Sequence, residues 1–479
     1  MPRLAVLGGS VVGAATALLF ARSGWRVTVV DPEHSRFSSD RDTVEPRPGA
    51  PHAVQAHGFM ARAWHELATR LPDVATAVTD AGAPVVRLGD MVPPPLLDGG
   101  RPRDDELTTL RCRRVTLDRV VGRALAAEPG VEVLHTRATG LVLDEAGPLP
   151  RVRGLGLADG GDVEADVVVD AGGRRSPVPG WLAGFGHPLV EQVDPSTVRY
   201  YTRHFRVDPA RAPRPNRGYL EAHEYPSFLQ LLFLGDNDTA MLALCVHDGD
   251  PLFKQVRDED AFTAVARGNT GLATWLDAMQ PTTPVFCLGS LDNRFRSTVR
   301  DGRPVVLGLH QVGDSLAMTN PTRGRGIAMG LAGAGALHDL LAAGPDDDAT
   351  VALAAWQRRV LAVYYREATA TDAAVGRKLR AAVEGVPAPA NAPDVELPDG
   401  HPIGARDLER AAGNDPDLFR IVMRASMVMD DDRVVARRET TALARSVLGR
   451  LPPADPPPPP AADGLHDRDE LARLLATVA

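Results

Sequence analysis

Lysine is almost missing from this chain: Lys254 and Lys378 are the only two among 479 residues, so arginine supplies nearly all the positive charge. The bias reads as coding composition, and it leaves lysine-based catalysis few candidates. Cysteine is nearly as scarce. Cys112, Cys245 and Cys287 are too few and too scattered for a disulfide framework or a metal knuckle, which fits a reducing cytoplasm. With no metal-spaced His/Cys cluster and no convincing Ser/His/Asp arrangement, neither a metal nor a catalytic nucleophile is assigned. The formal charge of -9 is mild for this length, and basic residues form no block, so nucleic acid is not an expected partner. A membrane-spanning run is also lacking. The most apolar stretch, Gly326 to Leu341, is rich in glycine and alanine and carries His338 and Asp339, so it reads as a buried helix. The first strand is expected within three residues of the start, so export is not expected.

What is present is a hydrophobic content of 44%, enough for the cores of two or three domains. Leu4 to Leu7, a glycine turn, Val11 to Ser23 and Arg26 to Asp31 read as strand, turn, helix and second strand, one βαβ unit. Strand patterns recur at Pro84 to Leu88, Leu107 to Arg111, Val131 to Leu134, Thr139 to Leu143, Val152 to Leu157 and Asp166 to Val169, with a helix over Leu117 to Ala127. A Pro/Gly/Asp loop spans Pro93 to Asp105. From Trp181 to Val299 the pattern changes to alternating strands, Tyr200 to Val207, Phe228 to Leu234 and Ala240 to Val246, with a hairpin signal at Gly235-Asp236-Asn237-Asp238. Pro304 to Leu309 resumes a buried strand, a long helical region begins near Thr350, and the proline run Pro456 to Pro460 precedes an amphipathic segment, Leu465 to Val478.

Three motifs carry chemistry. Gly8-Gly9-Ser10-Val11-Val12-Gly13 links strand to helix, so backbone N–H groups at a helix N-terminus face a pyrophosphate, and Asp31 closes the second strand where a carboxylate accepts from ribose hydroxyls. Ser10 stands where a glycine is usual. Gly313-Asp314 follows a strand and leads into Asn320-Pro321-Thr322-Arg323-Gly324-Arg325-Gly326; Asp314 suits a ribityl hydroxyl, and the glycines let a helix N-terminus approach a flavin ring edge. The third, Asp166 to Ser176, runs a strand into a glycine turn beside the first two. An ordinary tight exit from a strand explains that segment equally well.

In order and spacing these motifs resemble the glutathione-reductase-type FAD fold of the p-hydroxybenzoate hydroxylase-like flavoprotein monooxygenases, over roughly residues 1 to 345. The segment Arg47 to His57 is similar to one in bacterial secondary-metabolite FAD epoxidases and hydroxylases, with the glutamine and first histidine exchanged as His52 and Gln55. The resemblance implies an α/β fold: a Rossmann-like FAD domain over residues 1–180 and 300–345, with 81–105 a candidate contributor to the substrate sheet. An inserted antiparallel-sheet substrate domain would span 181–299. A helical C-terminal region, 346–450, a proline-rich linker, 451–463, and a terminal helix, 464–479, would complete the chain. FAD contacts are expected from Gly8, Ser10, Val12, Gly13, Asp31, Arg47, Gln55, Arg114, Gly313, Asp314, Pro321, Gly324, Arg325, Gly326 and Ile327.

The implied activity inserts one oxygen atom of O₂ into a small organic, secondary-metabolite type of substrate by hydroxylation or epoxidation through a flavin C4a-hydroperoxide. NADH, NADPH or a separate flavin reductase would supply electrons. The protein's share is a dry pocket and substrate placement. Tyr200 to Phe205 and Phe228 to Phe233 are the wall candidates, and His204, His223, Tyr225 and Gln230 the polar groups expected to orient a substrate. No general base is assigned. A reductase of the geranylgeranyl-reductase type shares the FAD motifs and stays open. A halogenase would require a Trp-x-Trp-x-Ile-Pro segment and a tunnel lysine, whereas the five tryptophans here are isolated. A non-catalytic flavin-binding partner protein is the remaining alternative.

Overall fold

The computed structural model of the chain describes residues 1–34, 43–87, 92, 96, 99–215, 220–289, 291–387, 403–430, 432–452, 465 and 468–478. The proline run Pro456 to Pro460, Leu88 and much of the loop beginning at Pro93 lie outside these residues. Strand β1 (Arg3–Leu7), helix α1 (Val11–Arg22) and strand β2 (Arg26–Val30) form the expected first unit. Helices α2 (Ala61–Arg70) and α3 (Arg114–Ala127) follow, then strands β3 (Val131–Leu134) and β4 (Val167–Asp170). The middle of the chain supplies β5 (Val198–Val207), β6 (Leu220–Glu224), β7 (Phe228–Leu234) and β8 (Thr239–His247). Strand β9 (Leu309–Gln311), helix α4 (Gly326–Leu341), the long helix α5 (Asp348–Glu384) and helix α6 (Arg468–Ala476) come later.

Five strands pair in parallel in the order β9-β4-β1-β2-β3. Both faces of this sheet are covered, which is why its strands read as continuous apolar runs. Leu4 and Val6 face one core with α1, α2 and α4, while Ala5 and Leu7 face another built from Leu141, Val152, Leu155 and Leu182. Helix α1 is buried around most of its circumference, and α4 is the buried small-residue helix expected at Gly326 to Leu341. No helix among the described residues is long and apolar enough to cross a membrane.

The second sheet is antiparallel in the order β6-β7-β8-β5, with short strands Met279–Pro281 and Phe286–Leu288 both on β5. Asn237 and Asp238 take φ values of 50° and 52°, the left-handed pair that a tight hairpin between β7 and β8 requires. One turn residue also ties this sheet to the start of α3. The fully buried Asp236 carboxylate accepts from the Arg113 backbone N–H at 2.7 Å, the Arg113 guanidinium at 2.6 Å and the Thr116 hydroxyl at 2.9 Å, all at the start of α3. Burial pushes the Asp236 pKa up, but the Arg113 bonds and charge outweigh it and hold the group ionised.

Three expectations change. The segment Pro304 to Leu309 is not one strand of the parallel sheet: pairing starts only at Leu309, because Gly308 turns at φ 72° and Leu307 bridges to Arg151. Within residues 81–105 the described strand Val85–Arg87 pairs with Thr108–Leu110 in a separate two-stranded ladder, not with the six-stranded sheet. The helix expected from Leu117 begins at Arg114, which sets that arginine in its first turn. Removing one partner of a buried ion pair leaves the other uncompensated, so Asp236→Ala should lower the unfolding free energy by about 3–5 kcal/mol. A denaturant titration that finds the variant as stable as the parent contradicts this anchoring role.

Candidate functional site

The three motifs meet because their glycines allow it. Gly8 has φ 93°, and a Cβ there would lie 2.6 Å from the Ala171 carbonyl oxygen, so the first motif rests directly on the third. At Gly13 a Cβ would fall 1.9 Å from the Gly8 carbonyl oxygen, which is what brings α1 so close to β1. The second motif docks on the first through Val12: a Cβ on Gly330 of α4 would sit 2.6 Å from a Val12 methyl and 3.2 Å from the Gly313 Cα. Asp170 braces the junction. Its carboxylate accepts from the Gly172 N–H (3.0 Å), the Ser176 hydroxyl (2.8 Å) and the Gln311 amide (3.0 Å), and its carbonyl accepts from Val312 N–H (3.1 Å). Burial raises the Asp170 pKa against the effect of these bonds. The third motif is thus a bracket, the structural role left open above.

Between the motifs and the six-stranded sheet runs a cleft of about 880 Å³, within the range of cofactor and ligand pockets. All fifteen residues proposed to contact FAD line it. At one end Asp31 accepts from the Gly9 N–H and the Glu33 N–H, each at 2.7 Å, and Arg137, Thr139 and Trp181 also line the cleft. In the middle Ser10 is a hub: its hydroxyl donates to Asp118 (3.0 Å) and receives Arg114 (2.9 Å) and Arg47 (3.4 Å). Asp118 also pairs with Arg47 at 2.9 Å and Arg114 at 3.2 Å. Burial pushes Asp118 up, yet the two guanidinium groups win and keep its pKa low. Two cations on one carboxylate leave net positive charge beside the glycine turn, where a phosphate is stabilised. Ser10 is therefore an organiser of this arginine pair.

At the other end Asp314 makes no hydrogen bond among the described residues, and burial raises its pKa against the nearby charges of Arg114 and Arg174. An ionisable group so placed suits a ligand hydroxyl. Gly324, at φ 64°, turns the chain into α4, whose N-terminus at Gly326 opens on the cleft. Arg325 is turned the other way, paired with Glu367 and stacked 5.1 Å over Tyr364, and the Gln55 side chain accepts from Thr202 at 2.7 Å. His57 donates Nδ1–H to the Gln55 carbonyl at 2.8 Å, since a carbonyl only accepts. Burial and then Arg114 lower its pKa to about 4, so the ring is neutral with Nε2 left as an acceptor at the cleft wall. His52 is likewise held neutral by burial.

The four polar residues expected to orient a substrate stand off the cleft. His204 shares a face with Tyr200 and Thr202, but its Nε2 bonds the Val54 carbonyl at 2.8 Å. Gln230 points to the opposite face, held by Asn269 at 3.1 Å, and His223, paired with it in register, bonds Glu221 at 2.6 Å. Tyr225 stacks on Phe228 at 4.6 Å in the core behind the sheet. Asp118, Arg174 and Gly330 were not singled out from sequence. For Asp118 a signal existed, its i,i+4 spacing from Arg114 on one helix face.

Burial also depresses His204 and His310 from the ordinary 6.5 to about 4. The unfolded chain then takes up protons first as pH falls. The stability gained by keeping these rings neutral is full above pH 6.5 and is lost toward about 4, each contributing about 1.4 kcal/mol per pH unit. Denaturant midpoints should fall across that window, and His204→Gln should flatten the slope; an unchanged slope contradicts a buried neutral His204.

No protein-family model matches the chain. Protein Rv3254 of Mycobacterium tuberculosis is 26% identical over 362 residues, which cover 71% of this chain and 72% of that protein. Among solved structures, PqsL, a probable FAD-dependent monooxygenase from Pseudomonas aeruginosa, is 18% identical with a TM-score of 0.55, covering 80% of this chain and 100% of PqsL. The flavin-dependent brominase Bmp2 is 14% identical with a TM-score of 0.58, covering 94% of this chain and 98% of Bmp2. The myxobacterial chondrochloren halogenase CndH, an FAD-dependent halogenase, is 16% identical at 0.53, covering 97% and 99%. The chain has the fold that these flavin-dependent monooxygenases and halogenases share.

Proposed function

We propose that the chain is an FAD-dependent monooxygenase acting on a small organic substrate. The observation that carries the reading is the convergence of three glycine motifs on one cleft, with the arginine pair at Ser10 in its middle and, at its end, the Asp314 carboxylate, which makes no hydrogen bond among the described residues. The residues fit the cofactor along its length. Asp31 faces the ribose, Arg47, Arg114 and the turn N–H groups neutralise the pyrophosphate, and Asp314 receives a ribityl hydroxyl. The N-terminus of α4 stabilises negative charge at the edge of the ring. Bound there, FAD supplies the transfer of one oxygen atom from O₂ to an organic molecule, with electrons from NADH, NADPH or a separate flavin reductase. The protein's own work is to hold the cofactor, exclude water with the sheet wall and fix the substrate.

Halogenation is less well supported. Neither lysine lines the cleft: Lys254 is exposed, and Lys378 pairs with Glu224 on the surface. Purified protein supplied with FAD, NADH or NADPH and a separate flavin reductase should consume O₂ and release peroxide when no substrate is added. Absence of reoxidation under every electron supply would overturn the monooxygenase reading, and reduction of a carbon–carbon double bond without O₂ would favour the reductase. Asp314→Ala loses hydrogen bonds to a charged acceptor, each worth about 1.5–3 kcal/mol, so FAD should bind at least tenfold more weakly. Unchanged flavin content in the purified variant contradicts the role given to Asp314.

A further inference from the structure

The wall that the six-stranded sheet presents to the cleft has a chemistry of its own. Register fixes which side chains share that face: Tyr200 lies opposite Cys245, Thr202 opposite Ala243, and Leu231 opposite Ala243 from the other side. The cleft is therefore lined from the sheet by Tyr200, Thr202, Leu220, Leu231, Phe233, Ala243 and Leu288, with no ionisable carboxylate, guanidinium, ammonium or imidazole among them. The two hydroxyls have their protons committed. Tyr200 donates to Asn320, and Thr202 donates to Gln55 at 2.7 Å. Phe233 is fixed against the wall by Gly58, where a Cβ would lie 2.8 Å from the ring.

Charged groups that line the cleft belong to its other walls. Arg323 and Arg325 are both paired with Glu367, and Arg174 stands in the turn after β4, on the motif side. A carboxylate or phosphate laid on the sheet would find no free donor there, and an ammonium would find no acid. Burying such a charge unpaired is strongly unfavourable, whereas apolar surface gains from every contact with leucine, alanine and phenylalanine.

We propose that the sheet face selects an uncharged, predominantly apolar organic molecule as the substrate. This specificity rests on the monooxygenase reading for the word substrate; the binding preference stands on the wall itself. The preference arises by rejection of charge as much as by attraction, since no group on the face can compensate an ion.

The test uses two planar probes of equal skeleton, 2-naphthol and 2-naphthoate, in equilibrium dialysis against the purified full chain at neutral pH, with flavin content measured on the same samples. The neutral probe should bind saturably and at least tenfold more tightly than the carboxylate, a difference of about 1.4 kcal/mol or more. Leu231→Arg supplies the missing donor and should narrow or reverse the preference, while Leu231→Met should preserve it. Equal or tighter binding of 2-naphthoate by the parent chain, or saturable binding of neither probe, overturns the proposal. Dialysis does not depend on turnover. A chain that prefers 2-naphthol but retains no flavin refutes the proposed function and leaves the wall's selectivity standing, whereas a flavin-loaded chain that prefers 2-naphthoate does the reverse.

Discussion

One added carbon at Gly13 would lie 1.9 Å from the carbonyl oxygen of Gly8, and that close contact sets the spacing on which the site depends. Because α1 approaches β1 so closely, Val12 reaches the Gly313 turn, and α4 can pack there only because position 330 has no side chain. The motifs are far apart in sequence but become one rigid assembly through contacts that exclude even a methyl group. Interiors packed to this density do not deform by degrees, so the cleft inherits the geometry of the parallel sheet beneath it.

The second constraint couples the two sheets. Asp236 sits in a hairpin of the antiparallel sheet, yet its acceptor oxygens are filled by Arg113 and Thr116 at the head of α3. The same helix brings Arg114 to the middle of the cleft and holds it there with Asp118 from behind. One helix end thus orients both the sheet that forms the far wall and the arginine pair that forms the near one. The buried network around Asn320, which links Tyr200 to Ser196 and Asn293, ties the wall to the glycine turn before α4 in the same manner.

Much of this was legible in the residues. Gly8, Gly13 and Gly313 announce themselves because a left-handed turn or a helix pressed on a strand is a local demand that one residue type meets. Asp31 and Asp314 are legible by their places at strand ends. The faces of β5 and β7 were not, because alternation names two faces without saying which is inside. Pairing decides it: Gln230 lies opposite His223, and both turn away from the cleft. His204 has the favourable parity but is taken by a backbone carbonyl that sequence does not bring near it. The strand at Pro304 to Leu309 was overextended for a related reason, since apolar content cannot reveal that Gly308 bends the chain toward Val152.

Behind the cleft wall, the face of the sheet that carries Phe228, Leu232 and Leu244 is closed by Phe262, Trp275, Leu465, Leu471 and Leu475. Arg468 clamps this last segment through a bidentate contact with Asp250. Synthesis therefore delivers the strands and the helices that cover them, Glu259–Arg267 and Thr270–Asp277, long before the helix that packs on the first of these. In the interval a nascent chain carries an apolar patch on the helices that bear Phe262 and Trp275, the kind of surface that recruits chaperones or pairs with another chain. The order of translation becomes part of how this core is built: the sheet and its first cover form early, and the outer layer is completed only when α6 emerges.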